Sequence, residues 1–210
     1  MEIKQFTFNP FAENTYLVSS GKKAMIIDPG MYDRQENEIL VKFVLESELE
    51  MIHLINTHCH IDHVFGNEFI ARKYGLELEI HKDEIPVLNI VPQVAQAYGL
   101  KYTPSPDPKI FLEPGKTIKL GDSNWEIRYV PGHAPGHIIL IEHSEKVIIA
   151  GDTIFERSIG RTDLPGGNHD TLINKIKSEI LTLPDDFIIY PGHGNSTDVG
   201  SEKTSNPFLI

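Results

Sequence analysis

Residues 57–63 read THCHIDH and place three histidines and one aspartate within six consecutive positions. They directly follow MIHLIN at 51–56, a short apolar segment typical of a buried strand. Imidazole nitrogens and carboxylate oxygens are common zinc ligands in proteins. The cluster therefore predicts a metal site at the end of a strand, and it favours folds that gather such strand ends at one edge.

Three later segments share this organisation, in which an apolar strand is followed by small residues and then by one ligand-type side chain. RYVPGH ends at His133, VIIAGD ends at Asp152 and IIYPGH ends at His193. Loops carried by a rigid scaffold commonly form binding sites, and the glycine beside each ligand lets the backbone approach closely. We expect the four strand ends to converge on one rim of a β-sandwich.

The candidate metal ligands are five histidines and two aspartates, namely His58, His60, Asp62, His63, His133, Asp152 and His193. One tetrahedral zinc takes four ligands, or three and a water when the site is catalytic. Seven side chains exceed this number but suit two ions about 3.5–4 Å apart that share a bridging carboxylate. We therefore predict two divalent metal ions. Zinc is favoured, although iron and manganese accept the same ligands.

The other side chains with metal-binding chemistry are interpreted differently. The remaining histidines are assigned structural or exposed positions: His53, His81, His137, His143 and His169. His137 is included because only one histidine of PGHAPGH needs to face the metals. Cys59, the single cysteine, lies between two ligands in a tight turn, so we interpret it as a small buried apolar side chain.

The order of predicted elements is strands, helices, more strands, a helix and a last strand. Asp33 is expected to cap the first helix, and Gly75 to end a later one. Residues 82–100 should be helical but interrupted by Pro86 and Pro92, and the proline-rich residues 102–109 should form a surface connector. A final helix should begin at Asp170. Two mixed sheets packed face to face with helices outside, an αββα sandwich of the α+β class, satisfy this order as a single domain of residues 1–210.

Composition excludes some classes of function. A net charge of −11 with scattered positive residues disfavours nucleic acid and anionic membranes as partners. No segment approaches the roughly 20 apolar residues of a membrane-spanning helix, and the N-terminus does not resemble a signal peptide. A cytoplasmic enzyme acting on a small molecule is the simplest expectation, and the sequence leaves its oligomeric state open.

The motifs resemble the metallo-β-lactamase fold superfamily from DPG at 28–30 to PGHG at 191–194. The resemblance implies an αββα sandwich in which Asp152 bridges two metals. It implies that Asp28 orients the metal-binding loop through hydrogen bonds. It also implies a first metal bound by His58, His60 and His133 and a second bound by Asp62, His63 and His193.

Within that superfamily, GDTIFERSIGRTDLPGG at 151–167 and YPGHG at 190–194 resemble glyoxalase II and its short relatives. This implies hydrolysis of a small thioester such as a hydroxyacylglutathione, with a hydroxide between the metals as nucleophile. Arg161 would contact the carboxylate of the thiol moiety, or would be an exposed loop residue paired with Asp163. The resemblance does not include the C-terminal helical region with which glyoxalase II grips glutathione, because the residues after His193 are few and polar.

Three other functions compete with thioester hydrolysis. THCH and GRTD also resemble persulfide dioxygenases, oxidoreductases that use one iron, although His193 favours two metals. RNA-cleaving relatives share the HxHxDH motif, but the acidic net charge disfavours them. A metal-stabilised binding module would need a filled coordination sphere, whereas the seven ligands leave room for water.

Overall fold

Two mixed sheets of six strands each face one another in the computed structural model, which describes residues Met1–Ile210. The first sheet has the order β1-β2-β3-β4-β5-β6. Its strands are β1 Glu2–Phe8, β2 Glu13–Ser20, β3 Lys23–Ile27, β4 Glu50–Ile55, β5 Leu78–Ile80 and β6 Ile110–Phe111. The strands β1 to β3 are antiparallel and β3 to β6 are parallel, so the sheet is mixed.

The second sheet has the order β14-β13-β10-β9-β8-β7 and is antiparallel except where β10 pairs with β13. A two-stranded hairpin, β11 with β12, follows β10. The strands are β7 Thr117–Leu120, β8 Ser123–Tyr129, β9 Ile138–Glu142, β10 Val147–Gly151, β11 Ile154–Phe155, β12 Ser158–Ile159, β13 Ile188–Pro191 and β14 Thr197–Asp198.

Six α-helices lie outside the sheets. They are α1 Arg34–Glu46, α2 Ile61–Val64, α3 Asn67–Tyr74, α4 Ile85–Tyr98, α5 His169–Lys175 and α6 Val199–Ser205. A 3₁₀ turn, Lys82–Glu84, precedes α4, and a π-helical turn, Ile176–Ile180, continues α5. None of the six α-helices combines the length and the apolar character of a membrane-spanning segment.

Three hydrophobic clusters hold these layers together. The cluster between the sheets includes Tyr16 and Met25 from the first sheet and Trp125 and Ile149 from the second. A second cluster joins the outer face of the first sheet to α1, α3 and α4, and a third joins the second sheet to α5 and α6. The predicted αββα sandwich of the α+β class is therefore confirmed.

The predicted helix ends agree with the structure at two positions. Asp33 accepts a hydrogen bond from the Glu36 amide at the start of α1, and Gly75 ends α3 with a φ of 69°. The last predicted helix begins at His169 rather than Asp170, because the Asn168 side chain caps it by accepting from the Thr171 amide. Helix α6, which Asp198 caps in the same way, was not predicted from the sequence.

The predicted interruption of residues 82–100 at both prolines is wrong, because α4 runs without a break from Ile85 to Tyr98. Pro86 lies in the first turn, where a missing N–H removes no helical hydrogen bond. Pro92 lies inside the helix and removes one bond. The buried side chains of Val87, Val91 and their neighbours hold the helix against the first sheet. The proline-rich residues 102–109 contain neither helix nor strand, as predicted.

The ends of β4, β10 and β13 and the loop after β8 lie at one edge of the sandwich. Parallel pairing of β10 with β13 aligns Gly151 with Pro191, so the residues that follow these two strands are neighbours. The first sheet also reaches this edge, because the Tyr16 hydroxyl donates a 2.6 Å hydrogen bond to the Pro191 carbonyl. This buried bond fixes the end of β13 against β2.

Replacing Tyr16 with phenylalanine should lower the free energy of unfolding by roughly 1–3 kcal/mol, because the buried Pro191 carbonyl loses its tyrosine donor. Urea titration followed by circular dichroism measures this difference. Tyr190→Phe is the matched control, since Tyr190 packs edge-on against Tyr16 and its hydroxyl has no hydrogen-bond partner in the protein. Equal stability of the two variants would show that the bond does not contribute.

Candidate metal centre

The seven predicted ligands come together at the edge of the sandwich as two groups of three with one aspartate between them. The first group is His58, His60 and His133, and the second is Asp62, His63 and His193. Within each group, the ligand atoms lie within 4.8 Å of one another. The loop after β4 and the short helix α2 supply four of the seven side chains.

The carboxylate of Asp152 lies between the two groups. Its Oδ2 is 3.5 Å from His133 Nε2, in the first group, and 3.6 Å from His193 Nε2, in the second. Its Oδ1 is 3.5 Å from His63 Nε2. One carboxylate thus faces both groups, which is the arrangement that a shared ligand of two cations requires.

The hydrogen bonds of the histidines determine which nitrogen faces the centre. The Nδ1 of His133 is 2.8 Å from the Arg161 carbonyl, and the Nδ1 of His193 is 3.2 Å from the Phe11 carbonyl. The Nδ1 of His58 is 3.1 Å from the Thr57 hydroxyl, which itself donates to Asp28. These acceptors place the proton on Nδ1, so each Nε2 lone pair is directed at the centre, as metal ligation requires.

The centre contains polar atoms that the protein alone does not satisfy. His58 Nε2, His63 Nε2 and Asp152 Oδ1 are buried without a hydrogen-bond partner, although buried polar atoms almost always have one. His60 Nδ1 and His133 Nε2 face each other at 2.8 Å. Bound cations would occupy the space toward which these atoms point, so the donor set fits two divalent ions.

Burial and charge shift the pKa values of the two ligand groups in opposite directions. Burial lowers the pKa of His60 to about 3 and lowers the pKa of His58 and His133 as well. Burial opposes ionisation of Asp152, but His63 and the neighbouring imidazoles hold its pKa well below the usual range. The first group therefore offers neutral imidazoles. In the second group, burial opposes protonation, but Asp152 and Asp62 raise the pKa of His63 and the hydrogen bond to Asp62 raises that of His193, so a bound cation would displace their protons.

Asp28 holds the loop that carries the first ligands. Its Oδ1 accepts from the Thr57 amide at 2.7 Å, and its Oδ2 accepts from the Thr57 hydroxyl at 2.6 Å. The same Oδ2 lies 3.2 Å from His63 Nδ1. Asp28 adopts a φ of 51°, which is uncommon for a residue with a side chain and frequent at functional sites. These contacts agree with the orienting role that the resemblance implies.

Gly192 and Gly151 allow the strand ends to approach each other. A Cβ atom at Gly192 would lie 2.1 Å from Asp152 Oδ1. A Cβ atom at Gly151, whose φ is 49°, would lie 2.4 Å from the Thr57 hydroxyl. Any larger residue at either position would displace the side chains of the centre.

Sequence reasoning missed Glu84, a buried carboxylate that joins two ligand-bearing loops. Its Oε2 accepts from the Cys59 amide at 2.7 Å, and its Oε1 accepts from the Gly136 amide at 2.6 Å. Burial raises the pKa of Glu84 to about 7, against the opposing effect of the two amides. No local signal marks this residue in HKDEIPVL, because both of its partners are distant in sequence.

His137 also has a role that the sequence did not reveal. It belongs to none of the groups that could hold a metal, as predicted, but it is completely buried beside them. Its Nε2 accepts a 3.0 Å hydrogen bond from the Asp152 amide, and its ring stacks on His58. His137 therefore positions two ligands, His58 of the first group and the Asp152 that lies between the groups.

Asn14, at the start of β2, fixes the loop that carries His193. Its side-chain amide donates to the carbonyls of Pro191 and Gly194 at 3.1 and 2.9 Å. The sequence signal for this role is ENT at 13–15, three consecutive polar residues at the start of a strand. The structure shows that all three are buried.

The remaining sequence interpretations concern residues outside the centre. His53, His81, His143 and His169 belong to no group that could hold a metal. Cys59 is fully buried in the hydrophobic core, which confirms its interpretation as a buried apolar residue. Arg161 pairs with Asp163 through two 2.7 Å hydrogen bonds and also lines the cleft beside the centre. Its contact with substrate stays a prediction.

A cleft of about 650 Å³ opens onto the centre between α4 and the segment 155–165. It exposes His60, Asp62, His133, Asp152 and His193. His58 and His63 have no exposed side-chain surface and lie behind them. A small molecule therefore reaches the centre from the side of the two aspartates.

Glu84→Gln should weaken metal binding about 10-fold or more, the range seen when a residue that supports metal ligands is removed. Glutamine offers one acceptor oxygen in place of two, so one of the two loops loses its bond. Competition with a chromogenic chelator measures the affinity.

Glu142→Gln provides the matched control for this substitution. Glu142 is also buried and accepts a backbone hydrogen bond, from Glu145 at 2.7 Å, but it lies at the end of β9 away from the centre. Equal metal affinity of the two variants would contradict the positioning role of Glu84.

Comparison with known proteins agrees with this geometry. A sequence model described as the Metallo-beta-lactamase superfamily matches residues 8–193. Hydroxyacylglutathione hydrolase GloC of Haemophilus influenzae is 40% identical over 214 aligned positions, which cover 100% of this chain and 98% of that protein.

Two solved structures are similar along their whole length. The crystal structure of BLEG-1 B3 metallo-beta-lactamase has a TM-score of 0.91 at 30% identity and covers 100% of both chains. That of TTHA1623 in a di-iron-bound form has a TM-score of 0.88 at 32% identity and covers 98% of this chain and 100% of its own. Its fold, the convergence of its candidate ligands and these matches show that the chain belongs to the metallo-β-lactamase superfamily.

Proposed function

We propose that this protein is a hydrolase that uses two divalent metal ions to cleave a small thioester. The observation that carries the proposal is the position of Asp152 between two complete three-residue ligand groups. A relative that is 40% identical along the whole chain carries the name hydroxyacylglutathione hydrolase, which supports thioester chemistry. The similar structure with two bound irons supports the count of two metals.

The ions, when bound, would polarise the thioester carbonyl and make a hydroxide nucleophile available at neutral pH. The chain's own contribution is to hold their ligands in one geometry before substrate arrives. His133 and His193 each donate a hydrogen bond from Nδ1–H to a backbone carbonyl, which directs Nε2 at the centre. Asp152 is fixed by the hydrogen bond from its own amide to His137.

The accessible face of the centre determines how the substrate approaches. Side-chain exposure is 14% for Asp62, 11% for Asp152 and 27% for His193, whereas it is zero for His63. The scissile carbonyl must therefore approach over the two aspartates, between the two ligand groups. A thiolate is a good leaving group, so the reaction needs no separate protein acid to protonate it.

The one-iron persulfide dioxygenase reaction is the second candidate. It would use the first ligand group and Asp152 and would leave His193 without a role. His193 lies 3.1 Å from Asp62 and 3.6 Å from Asp152, within a second complete group, which favours the two-metal hydrolase.

Replacing Asp152 with alanine should remove the second metal and reduce thioester turnover at least about 100-fold to 1,000-fold, since it removes the charge shared by both groups. Hydrolysis of S-lactoylglutathione and metal content measure the two effects. Asp122→Ala, an exposed aspartate in the β7–β8 turn, is the control and should behave as the unmodified protein. Retained hydrolysis in Asp152→Ala would refute the mechanism.

Elemental analysis of the purified protein should find two metal ions per chain in a sample that hydrolyses S-lactoylglutathione. Persulfide-dependent oxygen uptake is measured on the same sample. One iron per chain together with oxygen uptake would assign the protein to the dioxygenases instead.

A further inference from the structure

We propose that the substrate carries an uncharged apolar group beside its scissile carbonyl, and that this group binds along α4 in the cleft at the metal centre. This inference rests on the proposed thioester hydrolysis and specifies its substrate class. The cleft, at about 650 Å³, falls within the range of about 300–1,000 Å³ typical of pockets for small molecules.

The first observation is the composition of α4, which forms one wall of the cleft. Its sequence, IPVLNIVPQVAQAY, contains no charged residue, although the helix lies at the surface. Val87, Val91 and Val94 recur at helical spacing and line the cleft. Ile90 and Tyr98 extend the same apolar surface toward solvent, being 43% and 61% exposed.

The opposite wall is also apolar. Phe155, Ile159, Leu164 and Pro165 line it, and Phe11 lies at one end, 38% exposed. The rings of Phe11 and Tyr98 contact each other edge to face, with 6.2 Å between their centroids. Large side chains exposed together on a concave surface mark a binding site for an apolar partner. Here they surround the entrance to the metal centre.

The second observation is that the cleft contains a single lysine or arginine. Arg161 is the one lysine or arginine that lines the cleft, and its guanidinium is already bound by both oxygens of Asp163. The other charges belong to the metal centre at the bottom, where the proposed reaction places the scissile carbonyl. A thiol such as glutathione, with two carboxylates, would find this arginine as the one lysine or arginine partner in the cleft and would have to compete with Asp163 for it. An uncharged chain would be stabilised by burial against both walls.

The apolar group could belong to either side of the thioester, so two substrate series separate these sources. One varies the acyl chain from acetyl to octanoyl on N-acetylcysteamine, and the other varies an alkyl thiol from ethyl to octyl on an acetyl group. In one series, kcat/KM of the metal-loaded protein should rise roughly threefold to fourfold per added methylene until the cleft is filled. S-Lactoylglutathione is the charged comparison.

Two failures can be told apart. If both series are flat and S-lactoylglutathione is the best substrate, the inference is overturned and thioester hydrolysis stands. If the metal-loaded protein hydrolyses none of these compounds, the proposed function is overturned. Calorimetric binding of S-alkyl-N-acetylcysteamine thioethers, which cannot be hydrolysed, then tests the cleft independently. Their affinity should increase with chain length, and equal affinities would overturn the inference.

A pair of variants locates the binding surface. The ratio to compare is kcat/KM for the longest member of the chain-length-dependent series divided by kcat/KM for its shortest member. Ile90→Asn should reduce this ratio about fivefold or more, because a polar side chain replaces apolar contact area. Ile39→Asn is the matched control, since Ile39 is an isoleucine on α1 with 45% exposure that does not line the cleft. An unchanged ratio in Ile90→Asn would place the apolar group elsewhere and overturn the assignment to α4.

Discussion

Asp152 faces two sets of metal-binding side chains at once, and the rest of the structure depends on keeping its carboxylate in that position. A buried carboxylate is costly unless positive charge compensates it. The surrounding imidazole nitrogens direct their lone pairs at the same space. Several buried ligand atoms of the centre therefore have no hydrogen-bond partner in the protein, and bound cations would stabilise them.

The sandwich supplies the rigidity for this arrangement. Parallel pairing of β10 with β13 brings Asp152 and His193 side by side, and the first sheet holds the end of β13 through Asn14 and Tyr16. Glu84 and His137 act from behind the ligands, on backbone amides. Because these supports use hydrogen bonds to the main chain, they fix the loops without competing for the metal-facing atoms.

Polar and apolar surfaces are divided sharply around the centre. The metal ligands form the floor of the cleft, whereas α4 and the segment 155–165 provide mostly apolar walls. A floor that attracts a carbonyl and walls that attract an uncharged chain together orient one class of substrate. The pairing of Arg161 with Asp163 leaves the electrostatic character of the cleft to the centre itself.

The sequence by itself determined the longer strands, most of the helices and the seven candidate ligands, because hydrophobic periodicity and ligand chemistry are local properties. The short strands β5, β6, β11, β12 and β14 became visible only in the fold. It also identified Asp28, although the contacts with Thr57 are visible only in the fold. Only the tertiary structure decided the roles of Glu84 and His137, whose partners Cys59, Gly136 and Asp152 lie 15 to 52 positions away in the chain. It also decided that α4 continues through Pro92, since packing on the first sheet outweighs one lost hydrogen bond. The apolar cleft likewise required the fold, because its two walls come from segments far apart in sequence.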